Sequence, residues 1–144
     1  MDNKPIYRTL DNEVGALVTK ANHLQVGGSL GLDLQGTGIT VGVFDGGPVQ
    51  TDHVEFQNPE NSGTRITNYD SNNIVDGGTG FEEHATHVSG TIGATGNYEL
   101  AKGMATDVSI ITYNFNGDTG KMIAVQDNSQ LDVFLSNHSY GISI

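Results

Sequence analysis

Cysteine is absent from the 144 residues, and so is tryptophan. Without a thiol there is no disulfide framework, no thiolate nucleophile and no cysteine-based zinc site. Cations are scarce as well: 6 Lys and Arg stand against 17 Asp and Glu, a formal charge of −11. Phosphate backbones need clustered cations, and anionic membrane surfaces repel a chain this acidic, so neither nucleic acid nor membrane is an expected partner. No apolar run approaches the roughly 18 residues that a bilayer span requires. The opening Met1-Asp2-Asn3-Lys4-Pro5 lacks the basic-then-apolar pattern of a secretory signal. Glycine, by contrast, is plentiful at 20 residues, roughly twice its usual share. With apolar residues gathered into short clusters, this composition describes a fold with tight polar turns rather than a disordered chain.

The length suits one domain or part of one. An N-terminal helical segment is expected over residues 1–30 and the main unit over 31–144. Val14, Leu17, Val18, Ala21 and Leu24 recur at helical spacing, which predicts a helix from Asn12 to Gln25, capped by Asp11 or Asn12 and stopped at Gly27-Gly28. Ile39 to Phe44 is a short apolar run of the kind buried on both faces of a parallel sheet, and it ends abruptly in Asp45-Gly46-Gly47-Pro48. Residues 57–80 form a polar connection around a short strand near Arg65 to Asn68. A second helix is expected from about His84 to Gly93, with small residues that let it pack closely on a sheet. Val108 to Tyr113 is another buried strand. Thr119 is the expected cap of a helix through Gln126, and Leu131 to His138 is a last strand, left as an apolar open edge. Strand, helix, strand, helix, strand places the chain in the α/β class, with a parallel sheet flanked by helices.

Two places carry chemistry. Asp45 ends a buried strand, and the carboxyl edge of a parallel sheet is where open α/β folds put their sites. The same residue could simply cap a turn. His84 opens the following helix and points back toward that edge. A carboxylate that accepts from one imidazole nitrogen fixes the tautomer and frees the other nitrogen to take a proton. Two rival readings compete with this pairing. His84 and His87, beside Glu82 and Glu83, could share a helix face around a metal, but zinc enzymes favour H-E-x-x-H and no third ligand is apparent. A dinucleotide site would need a G-x-G-x-x-G turn from strand to helix, and there is none.

These segments resemble the amino-terminal half of a subtilisin-like serine peptidase, a member of the subtilase family. Val41-Gly42-Val43-Phe44-Asp45-Gly46-Gly47 resembles the segment of the catalytic Asp, and His53-Val54-Glu55-Phe56 the stretch beyond it. His84-Ala85-Thr86-His87-Val88-Ser89-Gly90-Thr91 resembles the catalytic-His motif, with Ala85 where the family usually has Gly. Ala101-Lys102-Gly103-Met104-Ala105 resembles the segment before the next core strand, and Ser136 to Gly141 the strand lining the substrate cleft.

The resemblance implies a subtilisin-like fold that is incomplete, roughly the first half of the domain. It implies catalytic roles for Asp45 and His84, and an extended polypeptide substrate paired with backbone at Ser139, Tyr140 and Gly141. No cofactor is required for such chemistry. The resemblance also raises a structural calcium ion at Glu55 and Asn97, where oxygen ligands of one family site would lie, against the plainer reading of two solvated turn residues. His87 would be structural, packed behind the helix. The family's G-T-S-M-A type nucleophile segment does not occur in these residues, nor does its A-A-G-N type oxyanion segment. The missing carboxy-terminal half of the domain is therefore an implied partner, and the isolated chain is expected to be inactive. Secretion from a bacterial-type cell is the implied location. The alternative is a non-catalytic, truncated binding module of the same descent.

Overall fold

The computed structural model describes residues 12–58, 63–70, 81–129 and 131–141. Four strands, β1 (Thr40–Asp45), β2 (Ile66–Asn68), β3 (Ser109–Asn114) and β4 (Val133–His138), form one sheet in the order β2-β3-β1-β4. All three pairings are parallel. The helices are α1 (Asn12–Thr19), α2 (Glu83–Gly93) and α3 (Asp118–Asp127). This is the expected α/β arrangement, a parallel sheet with flanking helices. No helix among the described residues is long and apolar enough to cross a membrane.

Side chains alternate across a strand, so the two central strands build two cores. Val41 and Val43 of β1 pack with Val108, Ile110 and Ala85 on the α2 side. Phe44 packs with Ile111 and Val125 on the α3 side. Val43 and Ile110 are fully buried, and each such side chain contributes about 1.5–3 kcal/mol. Asp45 follows Val43 at the two-residue period and so projects toward α2. Helix α2 meets the sheet through Ala85, Ser89 and Gly93, spaced at i, i+4 and i+8. The last of these has to be small, because a Cβ at Gly93 would stand 3.0 Å from Val108 Cγ2.

A buried arginine locks the lower half of this layer. Arg65 donates to the carbonyls of Val108 (3.0 Å), Glu55 (2.9 Å) and Gly93 (2.6 Å), which lie on three different segments. Burial lowers its pKa, while Asp107 and Glu55 pull it back up.

Three expectations need correction. The first helix stops at Thr19, because Lys20 turns left-handed at φ 67°, and a single 3-10 turn follows at Ala21–His23. Its apolar stripe is not a core face either: Val14, Leu17 and Val18 are exposed and only Ala16 is buried. The expected cap at Asp11 lies outside the described residues, as do parts of the 57–80 connection. Thr119 is not the cap of α3. Gly117, left-handed at φ 67°, makes the turn out of β3 and the helix begins at Asp118. Strand β4 starts at Val133, two residues late, and the register shifts by one residue between its pairings with Thr40 and Val41. It is the sheet edge, and most of its residues are exposed.

Candidate active site

The carboxyl end of β1 and the amino end of α2 are stitched together by the loop between them. Glu82 N–H donates to the carbonyl of Pro48 at 2.7 Å, and Gln50 N–H donates to Thr86 Oγ1 at 3.0 Å. Glu82 also caps α2, its Oε2 accepting from Ala85 N–H at 2.5 Å. These bonds fix the first turn of α2 over the end of β1. His84 Nδ1 consequently lies 2.8 Å from Asp45 Oδ1.

The two partners differ in exposure. The Asp45 side chain is 4% exposed and that of His84 is 54% exposed. Asp45 Oδ1 also accepts from Gly46 N–H at 2.7 Å, while Oδ2 is buried without a hydrogen-bond partner. The bond from Asp45 raises the His84 pKa above its usual 6.5. Burial opposes this, and the negative charges of Asp45 and Glu82 add to it. An Nδ1–H donor to a carboxylate leaves Nε2 as the free base, on the side that solvent reaches.

The segment Ser139–Gly141 continues from β4 beyond its pairing of His138 with Phe44. All three residues are exposed. Tyr140 Oη donates to Asp118 Oδ2 at 2.6 Å, and its ring packs against Phe115. Desolvation and the Asp118 carboxylate push its phenol up to about 12. His138 stacks on Phe44 and lies within hydrogen-bond distance of both Tyr140 Oη (2.8 Å) and Ser136 Oγ (3.0 Å). Tyr140 is therefore anchored to the start of α3.

Glu55 and Asn97 do come together, but as a loop clasp. Glu55 Oε2 accepts from Thr95 Oγ1 (2.9 Å), Gly96 N–H (2.7 Å) and Asn97 N–H (3.1 Å), and Oε1 accepts from Tyr98 N–H (2.7 Å). Burial alone would raise this carboxyl, yet the four donors outweigh it and hold the pKa below 4.5. The Asn97 amide nitrogen is spent on Val54 O and Thr95 Oγ1. With its oxygens facing N–H and O–H donors, Glu55 does not fit a calcium ion in this arrangement.

His53 accepts from Glu55 N–H at 3.3 Å and so caps the 3-10 turn Val54–Phe56. His87, expected behind the helix, is instead exposed at a groove beside α2. Sequence reasoning missed two neighbours of the site. Glu82 enters the sequence reading only beside His84 and His87 in a metal reading, although a carboxylate immediately before a helix is a capping signal. Asp118 carries no local sign that it would meet Tyr140, 22 residues away.

Fold and geometry together define an α/β protein with a buried carboxylate and an imidazole at the carboxyl edge of its parallel sheet. The model of the Subtilase family, Peptidase S8, matches residues 36–143, and the chain belongs to that family of serine peptidases. No curated protein and no solved structure matches the chain.

Proposed function

We propose that this chain supplies the Asp and His of a serine endopeptidase relay. Asp45 holds the imidazole by its Nδ1–H and supports the imidazolium that forms. His84 Nε2 takes the proton of a serine hydroxyl as it attacks a peptide carbonyl, then returns it to the leaving amine. The 2.8 Å contact between a buried carboxylate and a solvent-reachable imidazole carries this reading. These 144 residues hold no segment matching the family's nucleophile or oxyanion motif, so both groups would have to be supplied to this chain. The isolated chain is accordingly inactive. Substrates are flexible, extended polypeptides that pair with backbone at Ser139, Tyr140 and Gly141, outside the cell.

The test is a peptidase assay on protein in which this chain is joined to a serine-bearing carboxy-terminal segment. His84→Ala should then lower kcat by about 10⁶-fold, the scale known for subtilisin-type triads rather than one derived from this geometry. Undiminished turnover in that variant would remove His84 as the base. A chain that binds peptide yet never turns it over in any joined form would favour a binding module.

A further inference from the structure

Beside the Asp45–His84 pair lies a second carboxylate that the relay does not use. One ligand atom each from Asp45, Glu82 and His84 falls within 4.8 Å of the other two. Glu82 spends Oε2 on its helix cap. It lies across Gly46, where a Cβ would stand 3.1 Å from Glu82 Cγ. The glycine after Asp45 thus makes room for the second acid. Asp45 Oδ2 adds an independent observation, being a buried oxygen with no hydrogen-bond partner. A buried acceptor left without a donor costs stability unless something fills the gap.

We infer that Asp45, Glu82 and His84 form an inhibitory Zn²⁺ site built into the relay. This rests on the proposed roles of Asp45 and His84 and names a regulation of the same site. One imidazole with two carboxylates suits a borderline-soft ion, whereas Ca²⁺ and Mg²⁺ take oxygen alone. Three protein ligands leave a fourth position for water. The ion takes Nδ1, the nitrogen on the Asp45 side. A neutral imidazole keeps one proton, so the hydrogen displaced from Nδ1 is lost to solvent while Nε2 takes one up. Nε2–H cannot accept the serine proton, and the relay stops.

Zinc uptake can be read on the 144-residue chain itself, by competition with a zinc-sensitive chromophore and by ¹⁵N NMR of the imidazoles. The expected result is saturable one-to-one binding, with the zinc-induced shift on His84 Nδ1. Binding should be lost in His84→Ala and weakened by more than about tenfold in Glu82→Gln, since even an outer partner of a zinc ligand is worth 10–100-fold. Glu82→Gln keeps an oxygen for Ala85 N–H, so the helix cap survives, and circular dichroism checks that it does. His87→Ala should bind zinc normally. No saturable binding, zinc shifts on another histidine, or full affinity in Glu82→Gln would each overturn the inference. Failure here, with turnover in the joined protein still abolished by His84→Ala, removes the metal site and leaves the relay standing.

Discussion

Between Asp45 and His84 the electrostatics have a definite sign, and two consequences follow. His84 works as a base only when neutral, and its pKa is raised by the Asp45 hydrogen bond and by the charges of Asp45 and Glu82. Peptidase activity of the joined protein should therefore rise with pH through a midpoint above 6.5. Glu82→Gln removes one of the raising charges and should move that limb to lower pH in a kcat/KM profile. A limb that stays put would mean that Glu82 does not reach the imidazole electrostatically. For stability the sign is the reverse. A raised folded pKa makes the contact stabilising below the unfolded value of His, and the gain fades as pH rises through the folded pKa. The half-exposed ring makes this contribution small. The pair itself was legible because its two signals are local: a carboxylate that ends an apolar run, and a histidine that opens a small-residue helix. Glu82 was less legible, because only the folded loop shows that it lies over Gly46.

Among the elements, the loop after α2 brings together two residues that the sequence singled out, through a bond pattern that spacing does not encode. Glu55 and Asn97 meet as expected, yet the fold presents four N–H and O–H donors to the carboxylate. Donor direction depends on how residues 95–98 turn, which spacing does not encode. Two outcomes separate a clasp from an ion site. Removal of calcium by a chelator should leave the melting temperature unchanged. Glu55→Gln, which sets an amide N–H against backbone donors, should lower stability by about 1–3 kcal/mol in denaturant melts. Since the Glu55 pKa is depressed, its stabilisation is present above pH 4.5 and fades as pH falls through the lower folded value. A melt that rises with calcium and ignores Glu55→Gln would restore the ion. Helix α1 fell short of its pattern for a related reason. Helical spacing of Val14, Leu17 and Val18 fixes a face, but no described element lies against it to bury it, and the left-handed Lys20 ends the helix early.

At the scale of the whole molecule, β2 and β4 are the two edges of the sheet, and β4 is the one that exposes large apolar side chains. Strand β4 leaves Phe134 67% and Leu135 63% exposed at the sheet edge. Next to it an apolar recess is lined by Ile39, Val41, Ile92, Val108 and Leu135. An apolar edge strand of this kind is a template for pairing with another chain. The isolated 144-residue chain should therefore self-associate as its concentration rises, and Leu135→Lys should shift it toward monomer in light scattering. A sharply melting monomer at high concentration would contradict this. The α/β architecture was legible from the order of apolar runs, because β1 and β3 are mostly buried and carry Val41, Val43 and Phe44, and Ile110 and Ile111, in short clusters. The one-residue slip at β4 was not, since an exposed edge strand carries little patterning to fix its register.

The proposed relay stands on one contact, and that contact can be measured in the chain as it is. Following the His84 imidazole by ¹⁵N NMR through a pH titration reports both its pKa and the proton on Nδ1. The structure requires a midpoint above 6.5 with the neutral ring protonated at Nδ1, and a lower midpoint in Asp45→Asn. An ordinary midpoint that Asp45→Asn does not move would mean that no Asp–His pair forms, and the relay would fall with it.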